Sequence, residues 1–125
     1  MNNDAGRELV VKEPEHASSD DHLIELWLHG RSSHTQRAYR ADVARFRVGA
    51  GKAFARVTLT DLQAFANTLG ELSAASRYRC LSSVKSLLAF GHRIGYLPFD
   101  VGRVLRLPSV RNSLAERILP EAHPR

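Results

Sequence analysis

Thr35-Gln36-Arg37-Ala38-Tyr39-Arg40-Ala41-Asp42-Val43-Ala44-Arg45-Phe46 is the stretch whose reading decides how this chain folds. Thr35, Tyr39, Val43 and Phe46 recur at three- and four-residue spacing, which places them on one face of an α-helix and makes that face the buried one. Ser33-His34-Thr35-Gln36 has the form of a capping box, so the helix is expected to begin after Ser33, with Gln36 reaching back to the cap amide. Gly49 and Gly51 follow where the pattern stops.

The same reading extends outward in both directions. A first helix is expected from about Asp20 to His29, with acids in its first turn, Gly30 as its C-terminal cap, and Leu23, Ile24, Trp27 and Leu28 on one face. Residues 50–57 read as a loop carrying Lys52, Phe54 and Arg56. A third, shorter helix follows Thr58, with Asp61 in its first turn and Leu62, Phe65, Ala66 and Leu69 inward. The fourth and longest runs from about Ser73 to Arg93, with Leu81, Val84, Leu87, Leu88, Gly91 and Ile94 on one side, and Gly95 and Pro98 stop it. Beyond Pro98 the pattern is irregular, with room for one helical turn before Pro108. No strand pattern and no internal repeat stand out. The fold class is all-α, a compact bundle of four main helices. Its expected boundaries are a disordered acidic arm over 1–19, a domain over 20–110 and a linker over 111–125.

Charge divides the chain unevenly. Between Arg31 and Arg111 there are fourteen Arg and Lys against four Asp and Glu, a net of +10 in a molecule whose total is +5. The first thirty residues carry seven acids against Arg7 and Lys12. A basic body of this kind points to a polyanionic partner. The single Cys80 excludes an intramolecular disulfide, and the polar first residues have no secretory h-region. A soluble, cytoplasmic protein is expected, with no membrane partner and no small-molecule substrate.

Helical wheels assign the charges to faces. With Tyr39 inward, Arg37, Ala41, Ala44 and Val48 point out, flanked by Arg40 and Arg47 on one side and by His34 and Arg45 on the other. With Val84 inward, Arg79, Ser82, Ser86 and Arg93 face outward, and Ser83 and Lys85 flank them. Serine is a poor helix former, so three beside Arg79 and Lys85 point to a surface that hydrogen-bonds phosphates or base edges. The alternative for Ala41 and Ala44 is a seat for another helix. The expected DNA-contacting set is His34, Arg37, Arg40, Arg45, Arg79, Ser82, Ser83, Lys85, Ser86 and Arg93. Arg79 and Lys85 lie off the apolar stripe, so their removal is expected to weaken DNA binding and leave the fold intact.

These residues also carry a resemblance. Residues 35–46 resemble the Thr-x-x-Ala-Tyr-x-x-Asp-Leu-x-x-Phe signature of the tyrosine recombinases, the phage integrase and Xer group, in their N-terminal SAM-like core-binding domain. The likeness continues in Val57-Thr58-x-x-Asp61-Leu62. It continues again in Ser76-x-x-Arg79-x-Leu81-Ser82-Ser83-Val84-Lys85-Ser86-Leu87, similar to the family's Thr-x-x-Arg-x-Leu-Ser-Ala-Leu-Arg-Ser-Phe. The family usually has Asn-Pro after the fourth helix, where this chain reads Phe99-Asp100. The resemblance implies a domain that grips one face of duplex DNA beside a cleavage site, in DNA integration or recombination. Self-association is then expected only on DNA, within the full-length recombinase.

Chemistry of its own is not expected of this sequence. The family's catalytic Arg, Lys, His and Tyr constellation has no matching region, so the chain is expected to bind without catalysing. Tyr39 reads as a core residue, and neither Tyr78 nor Tyr96 has the surroundings of a nucleophile. The six histidines show no metal-ligand spacing and no phosphate-cradling glycine loop occurs, so no cofactor or metal is expected. Two other readings stay open. One is a helical protein-interaction module. The other is a small helix-turn-helix regulator, which would use Leu72-Ser73-Ala74 as its turn.

Overall fold

The computed structural model describes residues 15–107. Residues 1–14, most of the expected arm, and 108–125, with the expected linker, lie outside the described residues. Four α-helices follow in order: α1 Asp20–Leu28, α2 Ser33–Ala50, α3 Leu59–Asn67 and α4 Ala74–Arg93. Two 3-10 turns join them, Phe54–Arg56 between α2 and α3 and Val101–Val104 after α4. The described residues contain no strand.

Local chemistry explains most of the boundaries. Ser19 caps α1 by accepting from the His22 amide, and Ser73 caps α4 by accepting from Ser76. Thr58 and Asp61 form a reciprocal capping box at α3. Helix α2 ends at Gly51, whose φ of +64° is the left-handed conformation a residue without Cβ adopts at least cost. Its start differs from expectation by one residue. The cap is Ser32, whose hydroxyl accepts from Thr35, and Gln36 donates its side-chain amide to the Arg31 carbonyl instead of reaching a cap amide. The arm assigned to residues 1–19 also ends sooner than expected, because Ala17 is buried in the core and Ser19 caps α1.

The core gathers around the aromatic residue that closes the opening stretch. Phe46 is fully buried, stacks on Phe54 at 6.0 Å and meets Phe65 edge-on at 5.2 Å. Phe54 therefore makes the segment read as a loop into part of the core. Leu23, Leu62, Val84, Leu87 and Leu88 complete it with no exposed surface. Asp20 ties three elements together: its carboxylate accepts from the Phe54 amide at 3.0 Å and from the Tyr96 hydroxyl at 2.6 Å. Gly91 suits the point where α4 meets the following turn, since a Cβ there would lie 2.8 Å from Leu97 and 3.1 Å from Leu23 and would force those side chains to shift. The Gly91 carbonyl accepts from both Tyr96 and Leu97 and so folds the chain back after α4.

Candidate nucleic-acid interface

The two long helices meet at a buried charge. Asp42, 3% exposed, projects from α2 toward α4 beside the apolar stripe. Its carboxylate accepts from Arg79 Nε at 3.0 Å and Nη2 at 2.7 Å, and Ser83 Oγ lies 3.2 Å from Oδ2. A two-point guanidinium contact neutralises a carboxylate that burial alone would disfavour. The hydrogen bonds to Asp42 hold the Arg79 guanidinium above its ordinary pKa. Half of the Arg79 side chain remains in solvent, so one cation both compensates Asp42 and faces outward.

Several residues assigned to the outer surface take other roles. Ser83 is 2% exposed and points into the α2–α4 contact, also within reach of the Cys80 carbonyl at 2.9 Å. The wheel placed it on the flank of the stripe, and that flank is where α2 packs. Lys85 donates Nζ to the Leu105 carbonyl, and its own backbone lies 3.4 Å from where a Gly102 Cβ would be, so it fastens the chain after α4. Arg40 pairs with Glu25 and Arg47 with Asp21, which turns that flank of α2 toward α1. The Arg40 guanidinium holds the Glu25 carboxyl below the usual carboxylate range. An open groove of about 420 Å³ between the two helices is lined by Ile24, Val43, Ala41 and Ala44 together with these ion pairs.

Of the expected set, only Ser83 is buried, and the rest differ in what they are bonded to. His34, Arg37, Arg40 and Arg45 are exposed on α2, and Arg79, Ser86 and Arg93 on α4, with Ser82 and Lys85 half-buried. Among the described residues no carboxylate pairs with Arg37, Arg45 or Arg93. The Arg93 guanidinium lies 6.0 Å from the Phe90 ring centre. Ser86 accepts from the Trp27 indole N–H at 3.0 Å, which joins α1 to the outer side of α4. Asp42, Arg79 and Ser83 join α2 to α4, so the Arg79 guanidinium lies between the two helices with its outer part in solvent.

Two parts of this region, Asp42 and Arg31, are absent from the set expected from the sequence. Asp42 could have been found, since it is a carboxylate placed close to an apolar stripe, where only a cationic partner makes burial tolerable. Arg31 stands outside every helical period, and its side chain covers both Trp27 and Tyr39. Tyr39 itself is only half-buried. It stacks on Trp27 at 5.2 Å and 17°, at the rim of the core and not in its centre.

Two further groups, Cys80 and Tyr96, are held in their protonated forms. The Cys80 thiol is pushed up to about 11, chiefly by burial. Burial, reinforced by the hydrogen bond to Asp20, pushes the Tyr96 hydroxyl up to about 12, opposite to the activation a nucleophile needs. Among the described residues no group of three or more His, Cys, Asp or Glu could hold a metal ion, and no helix is long and apolar enough to cross a membrane.

Comparison with curated proteins and with solved structures returns no match. The family profile for the phage integrase N-terminal SAM-like domain matches residues 20–95, from the first residue of α1 to the turn after α4. That domain is the non-catalytic part of the family, and the profile spans all four helices, Asp42 and Arg79 included. The chain belongs to the phage integrase family of tyrosine recombinases, through their N-terminal SAM-like domain.

Proposed function

We propose that the α2–α4 face binds duplex DNA as the core-binding part of a tyrosine recombinase. The observation that carries this reading is the sorting of charge between two sides of α2. Arg40 and Arg47 are matched by acids of α1, whereas Arg37 and Arg45, with Arg93 on α4, meet no carboxylate among the described residues. Cations left unmatched beside hydroxyls suit a phosphate backbone, and the exposed edge of Arg79 adds a charge between the helices. Ser82, Ser86 and His34 are the polar groups that would read or position the duplex. In this reading the domain holds DNA, and the groups that cut and join it belong to the family's catalytic domain.

Fluorescence anisotropy of a labelled duplex across a salt series tests the reading. With about four phosphates neutralised, log K should fall against log salt with a slope of roughly −3 to −4. A slope near zero would refute it and favour a protein-interaction module, for which Val48, Phe99 and Val104, 85%, 73% and 64% exposed, are apolar contacts on offer. A helix-turn-helix is less well supported, since six residues separate α3 from α4 where that motif uses a turn of about three or four. A nicked suicide duplex should give no covalent adduct with this chain on a denaturing gel.

A further inference from the structure

Arg31 lies between α1 and α2 and is fixed from several directions. Its guanidinium carbon is 5.1 Å from the Trp27 ring centre and 5.2 Å from that of Tyr39. Its Nε donates to the Trp27 carbonyl at 3.1 Å, and its own carbonyl accepts from Gln36 at 2.9 Å. Among the described residues no carboxylate pairs with it, and neither Nη group makes a hydrogen bond. Trp27, which the guanidinium covers, donates its indole N–H to Ser86 on α4. The cation is therefore positioned at the edge of the α2–α4 face by contacts that leave its outer edge uncommitted.

We propose that Arg31 is a pre-positioned phosphate-binding residue of that face. The assignment rests on the DNA-binding reading and adds to it a residue that the helical periods did not reveal. A long basic side chain ordinarily loses rotamer freedom when it engages a phosphate. Here the aromatic pair and the Trp27 carbonyl have already restricted the side chain, so less freedom is lost on contact. The planar guanidinium also matches two phosphate oxygens, which an ammonium group cannot do. The competing role is that of a cover over Trp27, which would involve no ligand.

Trp27 is the only tryptophan in the chain, so its emission reports on the site directly. Wild type, Arg31→Gln, Arg31→Lys and Arg37→Gln are titrated with a random-sequence duplex, reading label anisotropy and tryptophan emission together across a salt series. Wild-type emission should change and saturate at the same DNA concentration as the anisotropy. Arg31→Gln should weaken binding by about five- to tenfold and make the salt slope less negative by about one. Arg31→Lys should keep the slope and still lose affinity severalfold, because charge is retained and the fork is not. Circular dichroism establishes that each variant is folded. If Arg31→Gln unfolds, a folded Arg31→Lys carries the comparison, and wild-type affinity in it overturns the assignment. Unchanged affinity and slope in Arg31→Gln, beside weakened Arg37→Gln, also overturns it while DNA binding stands. Absence of any binding by wild type would instead remove the DNA reading itself.

Discussion

Asp42 and Arg79, 37 residues apart, meet through two hydrogen bonds of 3.0 and 2.7 Å, with the carboxylate buried and the guanidinium half in solvent. The first belongs to the stretch that defines α2 and the second to the matching stretch of α4. The pair joins the two helices at the point where the proposed DNA surface begins. A cation expected to serve only a ligand is thus also part of the fold.

Arg79→Ala is expected to destabilise the domain by about 2–3 kcal/mol, since it leaves a buried carboxylate without its partner. The figure sits below that for a fully buried pair because Arg79 is half exposed. Replacing both Asp42 and Arg79 by Ala should cost less than the sum of the single changes, with a coupling of roughly 1–3 kcal/mol. Urea denaturation of the four proteins measures this. Additive losses would mean that the contact contributes nothing of its own.

Tyr39 and Phe46 lie on one stripe and should respond differently to truncation. Phe46→Ala removes a fully buried ring and is expected to cost roughly 3–5 kcal/mol. Tyr39→Ala exposes one side of Trp27 at the rim and should cost about 1–2 kcal/mol, because the ring is already half in solvent. Tyr39→Phe should stay within about 0.5 kcal/mol of wild type. Thermal melts of the three variants rank them, and equal losses for both Ala changes would place Tyr39 in the core after all.

Stability should fall at both ends of the pH scale for different reasons. The Glu25 and Asp61 carboxyls lie below their ordinary range, held there first by Arg40 and by Lys52 respectively. Lowered folded-state values mean that their contribution is present above about pH 4 and is lost as pH falls through the folded values. Glu25 is exposed and Asp61 half-buried in a pair with the exposed Lys52, so that loss should be small. Tyr96 has the opposite sign. Its folded value of about 12 exceeds the unfolded value of about 10, so its contribution is full below pH ~10 and disappears between about 10 and 12. Tyr96→Phe should lose about 1–2 kcal/mol at neutral pH, from the hydrogen bond to Asp20, and flatten the alkaline limb. An unchanged alkaline limb in Tyr96→Phe would assign that limb to another group.

The acids of α1 screen α2, so neutralising them should strengthen DNA binding. Glu25→Gln with Asp21→Asn releases Arg40 and Arg47, and should make the salt slope more negative by up to about two. Exposed ion pairs contribute little to folding, so the melting temperature should hardly move. Anisotropy beside a thermal melt reads both. Wild-type affinity in the double variant would place the α1 side of α2 away from the duplex.

Four helices and most of their ends were determined by the sequence alone, because a helix and its caps are local. The 3.6-residue period chose the inward face of every helix, and Thr58 with Asp61, Ser73, and the left-handed Gly51 act within a few residues of themselves. Tertiary structure decided what lies on the flanks of those faces. The period of α4 puts Ser83 and Lys85 at the margin of the stripe, but only α2 and the Leu105 carbonyl determine that one is buried and the other folded down. In the same way the wheel of α2 places Asp42, Arg40 and Arg45 at its margins without saying which meets Arg79, which meets Glu25 and which meets no carboxylate among the described residues. Charge pairing between helices depends on neighbours distant in the chain, and no single helix's period contains them. The fold was therefore legible, whereas the candidate surface became so only when the helices were packed.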